Sequence, residues 1–459
     1  MQTTSNHLRT IASRMITLML LALLSGASLL PWGKPAAATS GPVFKTHTVQ
    51  VKPVIRRLKI ISFARSDMQE ASAKANPVLF ACQSNTDPRP VLCYGPDQIR
   101  AAYGVNDLLK RQITGRGSSI TIIDAYSSPT VRHDLRAFDS AWGLSNPRLN
   151  VLAPFGVHGS DTIWSAEVSL DVEWSHALAP DATINLILAK SSNDVDLYKA
   201  LAYAVQHNLG DVISLSFGEN ENCVDPALRH AEHAILKEAI KKGMTVLAAT
   251  GDLGSAQMTC DGSGYQEAVS FPADDPLVTA VGGTQLFADA TSGQYIRETA
   301  WNESDAYNKA TGGGYSKMYK SPAYQKVLAA GAGGRGVPDI SLNASVNGGV
   351  LVYQSDATTH KTTVSIMGGT SVAAPEMAGI LADGVQMAHH RLGEINQALY
   401  KLGASSNYSQ AMNDIITGDN ILVSSGLSGY TTGQGWSPVT GWGSPRQAGT
   451  FLHDLIAGG

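Results

Sequence analysis

The sequence predicts an α/β protein built on an open, mainly parallel sheet with helices on both faces. Short β-rich runs recur from about residue 96: "SSITIIDAY", "ATINLILAK", "DVISLSFG", "MTVLAATGD" and "PLVTAVGGT". Between several of them lie apolar-periodic stretches of helical length, at 161–178, 194–208 and 226–242. Strands that alternate with helices pair in parallel through right-handed crossovers, and the helices then cover both faces. Ligands of such sheets collect beyond the carboxyl ends of the strands, which here means just after Asp124, Gly218, Asp252 and Thr284. Residues 96–459 read as a single large domain.

What precedes that domain has a different character. Arg9 and Arg14 lead into the apolar run "MITLMLLALLSGASLL", and the small-residue stretch "PAAATS" follows, so residues 1–38 are expected to be a signal peptide cut near Ala38. At roughly 16 residues the run is short for a membrane span of about 20. The product is therefore expected to be exported, without stable membrane association after signal cleavage. Residues 39–95 form a leader in which Lys45 to Arg65 carries six basic residues and no acid. It contains one short alternating segment that suits an edge strand, and it is either a docking segment or an extension that wraps the main domain.

Formal net charge is −4, and loss of Arg9, Arg14 and Lys34 with the signal would make it more negative. Such a chain is not built to hold a nucleic-acid backbone. Cys82 and Cys93 lie close in sequence, as do Cys223 and Cys260. The simplest of three connectivities pairs these neighbours in an oxidising compartment.

The chemistry is sought around Ser371, in "GGTSVAAPEMAG". This serine opens a helix-prone run, "SVAAPEMAGILADGVQMAHH", where Ser is a favoured cap. A helix N-terminus also offers free N–H groups and a positive dipole end to a developing oxyanion. Further back, Glu167 and Asp171 are four apart on one predicted helix and share a face. No Lys or Arg occurs between Arg148 and Lys190 to pair with them, so each raises the other's proton affinity.

These segments resemble the sedolisin, or serine-carboxyl peptidase, family, which has a subtilisin-like fold. Glu167 and Asp171 match its E-x-x-x-D helix, Asp252 in "AATGDLGS" its G-D-x-G loop, and Ser371 its G-T-S-x-x-x-P segment. "SFPADDPLVTAVGGT", "ATGGGYS", "SPAYQ" and "RGVPDISLNA" continue the likeness, which runs from about Tyr103 to the C-terminus. The resemblance implies a monomeric endopeptidase acting on protein or peptide substrates in acid through an acyl-enzyme. Ser371 would be the nucleophile, Glu167 the general base, Asp171 its hydrogen-bonded orienting partner, and Asp252 a protonated donor to the oxyanion. Asp124 either extends this acid network or simply ends a strand, and Phe217 stands where the family usually has Trp. The histidine motif of subtilisins is missing; "VHGSDTIW" around His158 is its nearest approach.

The resemblance also implies one structural Ca2+ site, from Asp414, the carbonyls of Ile415, Gly433 and Gly435, and a final carboxylate that is Ser437 here. One carboxylate instead of two predicts a weak site. The leader is marginal in length for an independently folded pro-domain. A catalytically silent, exported peptide-binding or scaffold protein of the same fold is the alternative, favoured by Phe217, Ser437 and that short leader. A subtilisin-like enzyme with a histidine base ranks behind both.

Overall fold

The computed structural model describes residues 52–53, 56–59, 80–83, 92–328 and 333–459. The chain divides into two units, Met1–Val43 and Phe44–Gly459, and every described residue belongs to the second. The expected signal segment and most of the 39–95 leader lie outside the described residues.

An eight-stranded sheet organises the domain. Its spatial order is Leu149–Leu152, Thr183–Ala189, Ser119–Ala125, Val212–Leu215, Thr245–Ala249, Thr279–Ala288 and Tyr295–Ala300, with Ile340–Asn343 also pairing with Thr279–Ala288. Every pairing is parallel except that of Tyr295–Ala300. Each of the five predicted runs supplies a strand. The first of these strands, Ser119–Ala125, is central; the chain next lays down the edge strand Leu149–Leu152, returns to fill the gap with Thr183–Ala189, and then crosses to the other side. That reversal opens a crevice at the carboxyl ends of the central strands.

Side-chain alternation along the strands divides the interior into two cores. Ile120, Ile122, Leu186 and Leu247 face one side, where they meet Val172, Val372 and Met377 of the helices Thr162–Leu178 and Thr370–Ala388. Ile123, Ile187, Ile213 and Val246 face the other, against Leu197, Leu201 and Leu236 of Asp194–Gln206 and Pro226–Lys241. Full burial of each such side chain stabilises by about 1.5–3 kcal/mol. Helix Thr162–Leu178 starts at Asp161, whose carboxylate accepts from the Ile163 and Trp164 N–H groups at 2.8 and 3.0 Å. Its partner Thr370–Ala388 approaches so closely that a Cβ on Gly379 would lie 2.5 Å from Leu178 Cβ. Both helices are buried over nearly their whole length, so neither acid on the first lies on a solvated face.

Two findings refine the sequence reading. The run "DVISLSFG" is not one strand: pairing in the main sheet ends at Leu215, and a separate strand, Phe217–Asn220, begins after Ser216. Among the described residues the leader contributes three strands rather than one, the last being Cys93–Tyr94, which pairs in parallel with Gly349–Ser355. Lys52–Pro53 joins Phe217–Asn220, and Arg56–Lys59 joins Thr362–Gly368, both antiparallel. Disulfides link Cys82 to Cys93 and Cys223 to Cys260. Among the described residues no helix is long and apolar enough to cross a membrane.

Candidate active site

Ser371 lies in the first turn of Thr370–Ala388. Gly369, at φ 133° and ψ 158°, turns strand Thr362–Gly368 directly into that helix, a conformation open chiefly to glycine. The serine is fully buried, and its Oγ donates to the Ser216 carbonyl at 3.1 Å. Ser216 is free to do this because it stands between two strands. Its own Oγ donates to Asp171 Oδ1 at 2.8 Å, so a single residue touches both the serine and the acid helix.

Glu167 and Asp171 project from Thr162–Leu178 with no exposed surface. Both Glu167 oxygens, and Oδ2 of Asp171, have no hydrogen-bond partner among the described residues. Burial, then Asp171 and Asp124, pushes the Glu167 carboxyl well above the usual carboxylate range. The nearby Ser371 hydroxyl pulls the other way, and Asp252 adds a smaller upward push. Asp171 is also raised, by burial and then by Asp124, while the Ser216 hydrogen bond opposes. Asp124, the penultimate residue of Ser119–Ala125, is fully buried with both oxygens unpartnered among the described residues, and burial pushes it up to about 8. Three carboxyls this close ionise one at a time: the first ionisation leaves a shared negative charge, and each later one is resisted.

Asp252 closes the site from the loop after Thr245–Ala249. Its Oδ1 accepts from the Thr370 N–H at 2.9 Å and the Thr370 hydroxyl at 3.2 Å, while Oδ2 is unpartnered among the described residues. Burial pushes this carboxyl up to about 7, against Lys309 and the two Thr370 contacts. Below that pH Oδ2 is the oxygen available to carry a proton beside the serine helix.

The four predicted catalytic residues therefore gather in one buried cluster, joined by Asp124. Ser371 donates to the Ser216 carbonyl while its hydroxyl also lies near enough to Glu167 to favour the charged carboxylate, and Asp171 accepts from Ser216. Catalytic hydrogen bonds are often loose before substrate binds, so this geometry leaves the roles open. Ser216 and Thr370 escaped the sequence reading, although both flank residues it singled out. Phe217 is buried, with its ring 6.3 Å from that of Trp164 on the acid helix, and brings no donor. His158 is exposed in the loop before that helix.

The C-terminal loop carries the expected Asp414 and Ser437. Both Asp414 oxygens accept from the Gly435 N–H at 3.1 Å, and Oδ1 also accepts from Tyr408 at 3.0 Å. Ser437 is buried, and its Oγ closes its own turn on Thr440. Among the described residues no group of three His, Cys, Asp or Glu converges on a metal position. The expected set is one carboxylate with main-chain carbonyls, and a carboxylate that accepts these two donors keeps lone pairs for a cation.

Known proteins share this architecture. The Subtilase family profile matches residues 123–412. Kumamolisin of Bacillus sp. (strain MN-32) is 33% identical over 368 residues, covering 77% of this chain and 62% of its own length. Sedolisin of Pseudomonas sp. (strain 101) is 32% identical over 356 residues, covering 71% and 58%. The chain thus spans less than two thirds of the length of these curated relatives. The structure of Pseudomonas sedolisin, a serine-carboxyl proteinase complexed with two molecules of pseudo-iodotyrostatin, matches with a TM-score of 0.70 at 29% identity. That match covers 80% of this chain and 99% of the other. The chain belongs to the subtilase family, in its sedolisin, or serine-carboxyl peptidase, branch.

Proposed function

We propose that the protein is an exported serine-carboxyl endopeptidase that works in acid. One observation carries the reading: a buried serine at a helix N-terminus sits against Glu167, Asp171, Asp124 and Asp252, all drawn away from water. Ser371 Oγ adds to the peptide carbonyl carbon, and its proton passes to the ionised member of the acid cluster, Glu167, steadied by Asp171 through the shared charge. Protonated Asp252 donates to the oxyanion, and the same proton on Glu167 returns to the departing amine. Water then releases the acyl group from Ser371. Protein or peptide substrates, monomeric action and export complete the reading; no step requires a metal.

The test is cleavage of a denatured protein between pH 3 and 8 by wild type, Ser371→Ala and Glu167→Gln. Acid-optimal activity is expected, with losses of at least about 10³-fold in both variants, as for other nucleophile–base pairs. A silent peptide-binding protein is the second reading, favoured by the donation of the Ser371 hydroxyl to the Ser216 carbonyl. Folded wild type that binds denatured protein without cutting it would establish that reading instead.

A further inference from the structure

Beside Asp252 two loops run side by side. Leu253 pairs with Ala310 in a parallel bridge; the Ala310 N–H donates to the Asp252 carbonyl at 3.1 Å, and the Gly254 N–H to the Ala310 carbonyl at 2.9 Å. In a parallel register the residues before each partner also lie opposite one another, and because successive side chains alternate they share a face. Here those residues are Asp252 and Lys309. The second loop is closed on itself. Asn302 bridges Ala310, the Glu303 N–H donates to the Lys309 carbonyl at 2.8 Å, and Asn308, left-handed at φ 56°, turns the chain back towards Asp252. Backbone contacts on both sides thus hold the half-buried Lys309 at the edge of the site.

The other charged groups nearby are occupied or turned to water. Glu303 accepts from the Trp301 indole N–H and the Val346 and Asn347 N–H groups, at 2.8, 2.7 and 2.8 Å. Asp419 accepts from Asn302 at 2.7 Å and from the Ile421 N–H at 3.0 Å. Asp305, in the short helix Ser304–Tyr307, is exposed, and Tyr307 packs against the buried Trp301. Across the site, Asp252 bears on Glu167. Among the described residues Lys309 joins no ion pair, with Asp252 or with another acid, so its charge acts through space. Of the four buried acids around Ser371, Asp252 alone has a cation acting on it, and that cation is Lys309.

We propose that Lys309 is a positioning residue of the reaction, a cation held opposite Asp252 that strengthens the positive field at the oxyanion and limits how far up in pH Asp252 can serve as its donor. This rests on the peptidase reading and adds to it a group that acts through another. A positive charge favours the ionised form of a carboxyl, so Lys309 is the first influence opposing the burial of Asp252. The same charge favours the negative oxygen that grows beside Asp252 during attack. The two effects have opposite consequences: one raises the rate in acid, and the other cuts activity off towards neutrality. A loosened loop or a partly unfolded chain would not produce that combination.

The experiment measures kcat and KM between about pH 3 and 8.5, on a peptide that wild type cleaves, for wild type, Lys309→Gln, Lys309→Arg, Asp252→Asn and the double variant Asp252→Asn/Lys309→Gln. Lys309→Gln is expected to lose about three- to tenfold in kcat on the acid plateau, with KM nearly unchanged. Its alkaline limb should move up by at least about half a pH unit, which leaves it about threefold more of its own plateau activity at pH 8 than wild type keeps. Lys309→Arg, which retains the charge, should restore both features. In the Asp252→Asn chain, whose donor does not titrate, Lys309→Gln should move no limb. The position of a limb does not depend on how much of the enzyme is active, so a variant that folds poorly still gives an answer. If wild type is active but the Lys309→Gln limb superimposes on its own, or moves equally in the Asp252→Asn chain, the role of Lys309 falls and the peptidase reading stands. If wild type cleaves no peptide or protein at any pH, both fall.

Discussion

Asp252 sets the upper limit of the proposed chemistry. Its Oδ1 is tied to Thr370, and its free Oδ2 can donate only while it holds a proton, which burial preserves up to about pH 7. As pH rises through that value the donor becomes an anion facing an oxyanion, and activity falls. Asp252→Asn keeps an acceptor for Thr370 and offers a donor that does not titrate. Its turnover should drop by up to about 10²-fold, as when an oxyanion donor is altered, but the decline near pH 7 should flatten. A variant profile that superimposes on wild type after scaling would show that another group limits the alkaline side. Ser371, Glu167, Asp171 and Asp252 were legible because motif and helical spacing constrain them locally. Ser216 was not: its two contacts arise from a strand break that alternating Val, Ile and Leu do not announce.

Strands and helices were readable wherever one residue in two or one face in three is apolar, which is why five strands and the main helices fall within a few residues of expectation. The C-terminal loop shows what such patterns leave out. The resemblance places a calcium site there, yet ligation depends on where each oxygen and N–H points. Here the Gly435 N–H and the Tyr408 hydroxyl hold Asp414 in place, and the Ser437 Oγ closes its own turn. The loop is expected to hold its shape without the ion. A bound calcium at a hundredfold excess over its Kd would add about 2.7 kcal/mol to stability. Unfolding temperatures measured in EDTA and in millimolar calcium should instead agree to within about 1 °C, well below the shift such binding would produce. A rise of several degrees in calcium would mean that the loop rebuilds around the metal.

At the scale of the molecule, the acid cluster belongs to a wider pattern of carboxyls shut inside the domain. Glu173, Glu232, Asp274, Glu376 and Asp383 are buried as the acids of the cluster are, and burial is the first cause raising each of them well above the usual carboxylate range. Glu376 and Asp383 lie on the serine helix itself; both Glu376 oxygens lack a partner among the described residues, while Arg100 and the Gly115 backbone pull Asp383 the other way. Such groups are tolerated inside while protonated and are costly when charged. The unfolded chain releases their protons near pH 4, whereas the folded chain keeps them until about pH 7 at Asp252 and about 8 at Asp124. Across that window the native state binds more protons, so stability is full below about pH 4 and falls as pH rises. Asp261, Asp289 and Asp356 shift the other way through turn hydrogen bonds, but they are fully exposed and matter only below about pH 4. The unfolding temperature of Ser371→Ala, chosen to prevent self-digestion, should therefore peak near pH 4 and decline steadily to pH 8. A peak near neutrality would mean that these carboxyls are already ionised and paired in the native protein. The acid preference of the fold and that of the proposed chemistry would then have separate origins.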